Sequence, residues 1–269
     1  MKKKLSIVLT VLLLLTLTGC GTKKVAVATP TDKKIIKVGA SPIPHAEILA
    51  QVKPLLAKEG YELQIVEFTD YVTPNKSLVS GDLDANFFQH VPYLENFNKE
   101  NGSDLTYTVK VQVEPMGIFS KKIKKLTDLK NGAAVAVPND PTNETRALKL
   151  LEKEGLIKLK STDNVTKLDI TQNTKNLDIQ ELDAPQLPRV LGDVDIAVIN
   201  SNYAMEAKLN PTTDALALEA KDSPYANVLA VKKEDKDKPY IKALSKALNS
   251  PEVKKFIIDK YKGAVIPSF

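Results

Sequence analysis

IKVGASPIPHAEILAQVKPLLAKEG, residues 36–60, and AVAVPNDPTNETRALKLLEKEG, residues 134–155, read as two versions of one unit. Each opens on a short apolar run of strand character and passes through a proline-bearing turn. Each then continues with apolar residues at helical spacing and closes on Lys-Glu-Gly. A second pair follows in the same order, SGDLDANFF at 80–88 and LGDVDIAVI at 191–199. Both carry a Gly-Asp-apolar-Asp turn that feeds a buried strand. Strand and helix chemistry recurs in any α/β chain, so either pair alone decides little. Two pairs in one order predict two similar α/β lobes with mostly parallel sheets. Ligands of open α/β sheets bind at the carboxyl ends of the strands, so two facing lobes predict a cleft there. The tail from Lys238 to Tyr261 reads as two helices, the second with Ser250 as N-cap, Pro251 at N1 and Gly263 as its stop. Such a tail is expected to return to the first lobe.

At the N-terminus, Lys2, Lys3 and Lys4 precede an apolar run from Leu5 to Leu17, followed by Thr18, Gly19 and Cys20. The run is shorter than the about 20 apolar residues that a bilayer core requires, so residues 1–19 read as a signal peptide and not as an anchor helix. LTGC resembles the bacterial lipobox, whose cysteine receives a diacylglycerol, and two acyl chains suffice for stable anchoring. Cys20 is therefore the expected lipidation site, and residues 20–34, rich in Thr and Lys, the expected tether. The expected location is the cell membrane, lipid-anchored, on the extracytoplasmic side.

The 38 Lys and Arg side chains, less Lys2, Lys3 and Lys4, leave 35 against 33 Asp and Glu. So small a net charge argues against a nucleic-acid partner. With the one cysteine lipidated, no thiol remains for a disulfide, a nucleophile or a thiolate metal site. His45 and His90 sit in no triad motif and no HExxH spacing, so neither an enzyme, a metal site nor a cofactor is expected.

Several residues at predicted strand ends suit a small ligand. Asp140 and Pro141 read as N-cap and N1 of a helix running to Glu154, whose free N–H groups favour an anion. Asn143 stands at N3, and Arg146 follows three residues later on the same face. A guanidinium there suits a carboxylate, which it can grip with two parallel hydrogen bonds, although Glu144 or Glu152 could pair with it at the surface instead. In the first lobe Phe88 and His90 share a strand face, Tyr93 begins the next helix, and Tyr71 follows the strand ELQIVEF across a turn. Together they read as an apolar pocket with polar handles, while Phe87 reads as lobe core. Asn200 ends the corresponding strand of the second lobe, and its amide can both donate and accept. Spacing alone does not single out Asn227.

The runs DANFFQHVPYLENF, PMGIFSKK, PNDPTNETRALKLLEKEGLIKLK, AVINSNYA and SPYAN resemble the NlpA family of methionine-binding lipoproteins, the capture components of methionine ABC importers. The resemblance covers essentially the whole chain after the signal segment. It implies a two-lobed fold of the type 2 periplasmic-binding-protein kind, with the ligand cleft between lobes joined by hinge strands. Residues 35–117 with 227–269 would form one lobe and 118–226 the other. It also implies that Arg146 holds the carboxylate of L-methionine with help from Asn143, and that Asn200 and Asn227 meet the ligand's polar end. Tyr71, Phe88, His90 and Tyr93 would line the side-chain pocket. The implied partners are a permease with its ATPase, and the chain would act as a monomer. Glu144 and Thr145 stand where family members usually have small residues, and a methionyl dipeptide such as Gly-Met, or another small amino acid, is the alternative ligand. From a different class, a surface adhesin or structural lipoprotein is the competing reading.

Overall fold

The computed structural model describes residues 34–221 and 223–269. The expectations for residues 1–19, for Cys20 and for the tether lie outside the described residues, except that Lys34 opens the first strand.

In chain order, β1 (Lys34–Ala40), α1 (Glu47–Lys58), β2 (Tyr61–Glu67), α2 (Thr73–Ser80), β3 (Ala85–His90), α3 (Val91–Asn101) and β4 (Thr106–Val113) build the first lobe. The second follows with β5 (Gly117–Phe119), β6 (Ala134–Pro138), α4 (Pro141–Lys153), β7 (Lys158–Leu159), β8 (Ile170–Gln172), β9 (Asp178–Leu182), β10 (Ile196–Ile199), α5 (Ser201–Glu206), α6 (Pro211–Asp214) and β11 (Ala217–Leu218). The chain then returns to the first lobe through β12 (Ala226–Val231), α7 (Pro239–Leu248), α8 (Pro251–Tyr261) and β13 (Ile266–Pro267).

The two sheets have one plan. Their orders are β2-β1-β3-β12-β4-β13 and β9-β6-β10-β5-β11. With β1, β2 and β3 counted as first, second and third in one lobe, and β6, β9 and β10 in the other, the first strand lies between the second and third, all parallel. An antiparallel strand just delivered from the other lobe, β12 or β5, then pairs with the third. The fold is thus two-lobed α/β, and the internal echo in the sequence is a repeat of topology.

The repeated motifs do the same work in both lobes. In the first, Asp84 accepts the N–H of Lys37 at 2.9 Å and returns its own N–H to the Lys37 carbonyl at 2.9 Å. In the second, Asp195 clips Ala134 in the same way, at 2.8 and 2.9 Å. The second Asp of each Gly-Asp-apolar-Asp turn therefore fixes where the third strand meets the first. Both Lys-Glu-Gly closures end a helix with a left-handed glycine, Gly60 at φ 84° and Gly155 at φ 72°.

One core lies between the first sheet and α1, α7 and α8, where Val38 and Phe87 meet Ile48, Leu49, Ile241, Leu244 and Ile257. The tail does return to the first lobe. The Ser250 side chain caps α8 by accepting the N–H of Val253 at 3.3 Å, and the helix ends at left-handed Lys262 (φ 47°) and Gly263 (φ 98°). The core of the second lobe gathers Val135, Val137, Leu148, Leu151, Ile196 and Val198. Leu148 and Leu151 are fully buried, which stabilises α4 on its sheet by about 1.5–3 kcal/mol per leucine.

The chain passes between lobes twice. Gly117 already pairs with Ile199 in the second sheet, and Ala226 with Val113 in the first. Among the described residues, the crossings are therefore 114–116 and 219–221 with 223–225.

Candidate ligand-binding site

The α4 helix begins as its sequence directs. Asp140 has extended backbone angles, Pro141 occupies N1, and the Asp140 carboxylate accepts the Asn143 N–H at 3.0 Å. Replacing this cap would cost about 0.5–2 kcal/mol and would also release Asn143. The side chain of Asn143 donates from Nδ2 to both oxygens of Asp140, at 3.0 and 2.9 Å, and turns its Oδ1 inward. That oxygen accepts from Asn200 Nδ2 at 2.8 Å and faces His90 Nε2 at 3.3 Å.

His90 caps α3, and its Nδ1 accepts the Tyr93 N–H at 3.2 Å. Nδ1 is therefore unprotonated, which puts the ring proton on Nε2 and makes it the donor to Asn143. Burial, and then the nearby Arg146 charge, pull the His90 pKa down to about 3, so the ring is neutral at physiological pH.

Arg146 is buried at 4% exposure, and its partner is not Glu144 or Glu152. Its Nε meets both oxygens of Glu219, at 2.9 and 3.0 Å, and Nη2 meets Glu219 Oε2 at 2.5 Å. Nη2 also donates to the Glu114 carbonyl at 2.6 Å, and the Tyr225 ring lies 4.6 Å from the guanidinium carbon. The side-on fork of the arginine is thus engaged by the protein. Nη1, with two N–H groups, has no partner among the described residues.

These groups enclose a cavity between the lobes, with about 350 Å³ of atom-free space that is partly open to solvent. Tyr71, Phe88, His90, Tyr93, Asn143, Arg146, Asn200 and Asn227 all line it, so the geometry brings together every candidate side chain. His45, Gln89, Glu114, Ser201 and Asn202 complete the lining. The apolar wall is a cluster of rings: Phe88 stands 6.0 Å from both Tyr71 and Tyr93, and the two tyrosines are 5.9 Å apart. Burial raises the pKa of both phenols, so they remain hydroxyls. They are anchored, Tyr93 to the Tyr71 carbonyl at 3.0 Å and Tyr71 to Asn202 Oδ1 of the other lobe at 2.5 Å.

The polar end holds unmatched groups. Asn200 Oδ1 is buried with no hydrogen-bond partner among the described residues. Glu114 Oε1 meets His45 Nε2 at 3.0 Å and Gln112 Nε2 at 3.1 Å, while Oε2 has no partner among the described residues. His45 Nε2 is also 3.2 Å from Asn227 Oδ1 and so carries a proton between two acceptors. With Arg146 and Glu219 cancelling, the cavity offers two N–H groups for an anion and one carboxylate for a cation.

The chain matches the family model described as NlpA lipoprotein over residues 36–269. The chain belongs to the NlpA lipoprotein family. A solved structure of a nutrient-binding protein from Burkholderia cenocepacia bound to methionine is 53% identical, with a TM-score of 0.85 over 87% of this chain and all of that one. Among the NlpA relatives, the D-methionine-binding lipoprotein MetQ of Salmonella typhi is 43% identical over 245 residues, covering 89% of this chain and 88% of that protein. The methionine-binding lipoprotein MetQ of Bacillus subtilis is 42% identical over 258 residues, covering 93% and 92%.

Sequence reasoning missed His45, Glu114, Glu219 and Tyr225. His45 could have been found from the repeat, because it stands five residues past the end of β1, as Asn143 stands past the end of β6. Glu114 and Glu219 lie on the crossings, where no local periodicity marks them. The geometry also refines two roles. Asn143 is tied to Asp140 through Nδ2 and presents its Oδ1 to Asn200 and His90, and the group of Arg146 left without a protein partner is Nη1 in place of its side-on fork.

Proposed function

We propose that the chain is the substrate-binding lipoprotein of a methionine ABC importer, capturing L-methionine between its lobes. It does so as a monomer held by lipid on Cys20 at the extracytoplasmic face of the membrane, and it delivers the ligand to a permease with its ATPase. The observation that carries this reading is the pairing, in one cavity between the lobes, of a zwitterion's complement with a wall of aromatic rings. The ligand carboxylate binds Arg146 Nη1, and the ammonium lies between Glu114 Oε2 and Asn200 Oδ1, beside Asn227. The side chain enters among Tyr71, Phe88 and Tyr93, where a thioether gains about 0.3–1.5 kcal/mol per aromatic contact. The Burkholderia relative, solved bound to methionine, supports methionine as the ligand.

The placement of Glu144 and Thr145 gives no reason to prefer a dipeptide to a free amino acid. Glu144 accepts the Lys167 N–H at 2.8 Å and Thr145 bonds to Val165, so neither enlarges the cavity. The test is chiral mass spectrometry of small molecules released by denaturing protein expressed from Gly21 onward in the cytoplasm. Stoichiometric methionine is expected. A methionyl dipeptide would change the substrate, and the absence of any ligand together with no thermal shift from either compound would overturn the reading.

A further inference from the structure

Arg146 belongs to the second lobe through α4, yet every group that holds its guanidinium lies on a crossing between lobes. The Glu114 carbonyl is on the first crossing, and Glu219 and the Tyr225 ring are on the second. The two crossings are also tied to each other beside it: Met116 donates its N–H to Glu219 Oε2 at 3.3 Å, and Glu219 donates its own to the Met116 carbonyl at 2.9 Å. Glu219 does not line the cavity, so it meets no ligand there. It engages Nε and one hydrogen of Nη2, while the Glu114 carbonyl takes the other, which leaves Nη1 to face the cavity.

We propose that Glu219 is the positioning residue of the carboxylate site, aiming Arg146 Nη1 from the hinge and so making the angle between the lobes part of carboxylate recognition. This rests on the reading that Arg146 holds the ligand's carboxylate. A rotation of the lobes that moves one crossing against the other displaces the Glu114 carbonyl relative to Glu219, and the planar guanidinium bridging them must follow. The site is therefore aimed only over a narrow range of hinge angles, and a carboxylate seated on Nη1 resists reopening. Because the ligand and Glu219 use different N–H groups, they do not compete for hydrogen bonds.

The test is a double-mutant cycle on protein expressed from Gly21 onward, measuring methionine affinity by calorimetry for Glu219→Gln and Glu219→Ala. Each is measured in the wild-type background and in an Arg146→Lys background, where the shorter reach of an ammonium cannot bridge the two crossings. Both Glu219 variants are expected to weaken binding by roughly tenfold in the wild-type background and by less than about threefold in the Arg146→Lys background. The Gln variant, close in shape, covers the case in which the Ala variant folds poorly. Equal losses in both backgrounds would make Glu219 merely structural, and unchanged or tighter binding would show it to be irrelevant or a competitor. Any of these overturns the proposal. A wild-type protein that binds neither methionine nor a methionyl dipeptide would instead bring down the underlying reading, and this proposal with it.

Discussion

Replacing Arg146 by Ala removes the cationic group of the cavity together with three supports of the crossings. Arg146 is 4% exposed, so its bond to a ligand carboxylate would form away from bulk water, and truncating one partner of such a pair costs about 2–5 kcal/mol. The space vacated admits water, which rehydrates part of the ligand's carboxylate and keeps the loss below the top of that range. An effect of about 3 kcal/mol, roughly 150-fold in Kd, is the expected value. Stability falls as well, because Glu219, the Glu114 carbonyl and the Tyr225 face lose their partner. Breaking a buried pair costs about 3–5 kcal/mol, and 15% exposure of the Glu219 side chain puts this case near the low end. Calorimetry with methionine, on protein shown by circular dichroism to be folded at the measuring temperature, separates the two effects. A folded variant whose Kd lies within about threefold of wild type would refute the assignment of the carboxylate to Arg146.

Asn200→Ala removes the orphan Oδ1 acceptor and should weaken methionine binding by about 1.5–3 kcal/mol in calorimetry, with a modest drop in melting temperature without ligand from the lost bond to Asn143 Oδ1. Tyr203→Phe deletes a bond across the cleft, from the Tyr203 hydroxyl to the Thr69 carbonyl at 3.2 Å, at a residue outside the cavity lining. Stopped-flow release should accelerate by a few-fold, equivalent to about 0.5–1.5 kcal/mol, with the association rate nearly unchanged. Glu206 on α5 has its pKa pushed up to about 7 from the ordinary 4.5, chiefly by burial, with Glu114 and Glu67 adding to the rise and Asn202 and His45 opposing it. The fold thus holds this proton up to about pH 7 while the unfolded chain releases it near 4.5. The stability it confers is complete below 4.5 and is lost as pH rises through 7. Glu206→Gln should therefore melt progressively higher than wild type between pH 5 and 8, and a constant difference would contradict the burial argument.

What could be read from sequence was local or repeated. Asp140-Pro141 marks a helix start by chemistry confined to four residues, and Asn143 and Arg146 follow from helical spacing. The two Gly-Asp-apolar-Asp turns announced their shared role because Asp84 and Asp195 each act on the first strand of their own lobe. The aromatic wall was legible because Phe88, His90 and Tyr93 lie within six residues. Glu114 and Glu219 were not, since they are 105 positions apart in the chain and meet at Arg146 only when both crossings are in place. Asn143 illustrates the other limit. Its position was evident, but the Asp140 carboxylate that holds its Nδ2 determines which end of the amide faces the cavity, and that depends on rotamers.

The central claim is that this cavity reads a methionine zwitterion, with Arg146 at its anionic end. A crystal structure of the protein grown with L-methionine tests it most directly. The carboxylate is expected within hydrogen-bonding distance of Arg146 Nη1, the ammonium beside Glu114 and Asn200, and the thioether among Tyr71, Phe88 and Tyr93. A ligand bound the other way round, or a cavity without methionine at saturating concentration, would contradict it.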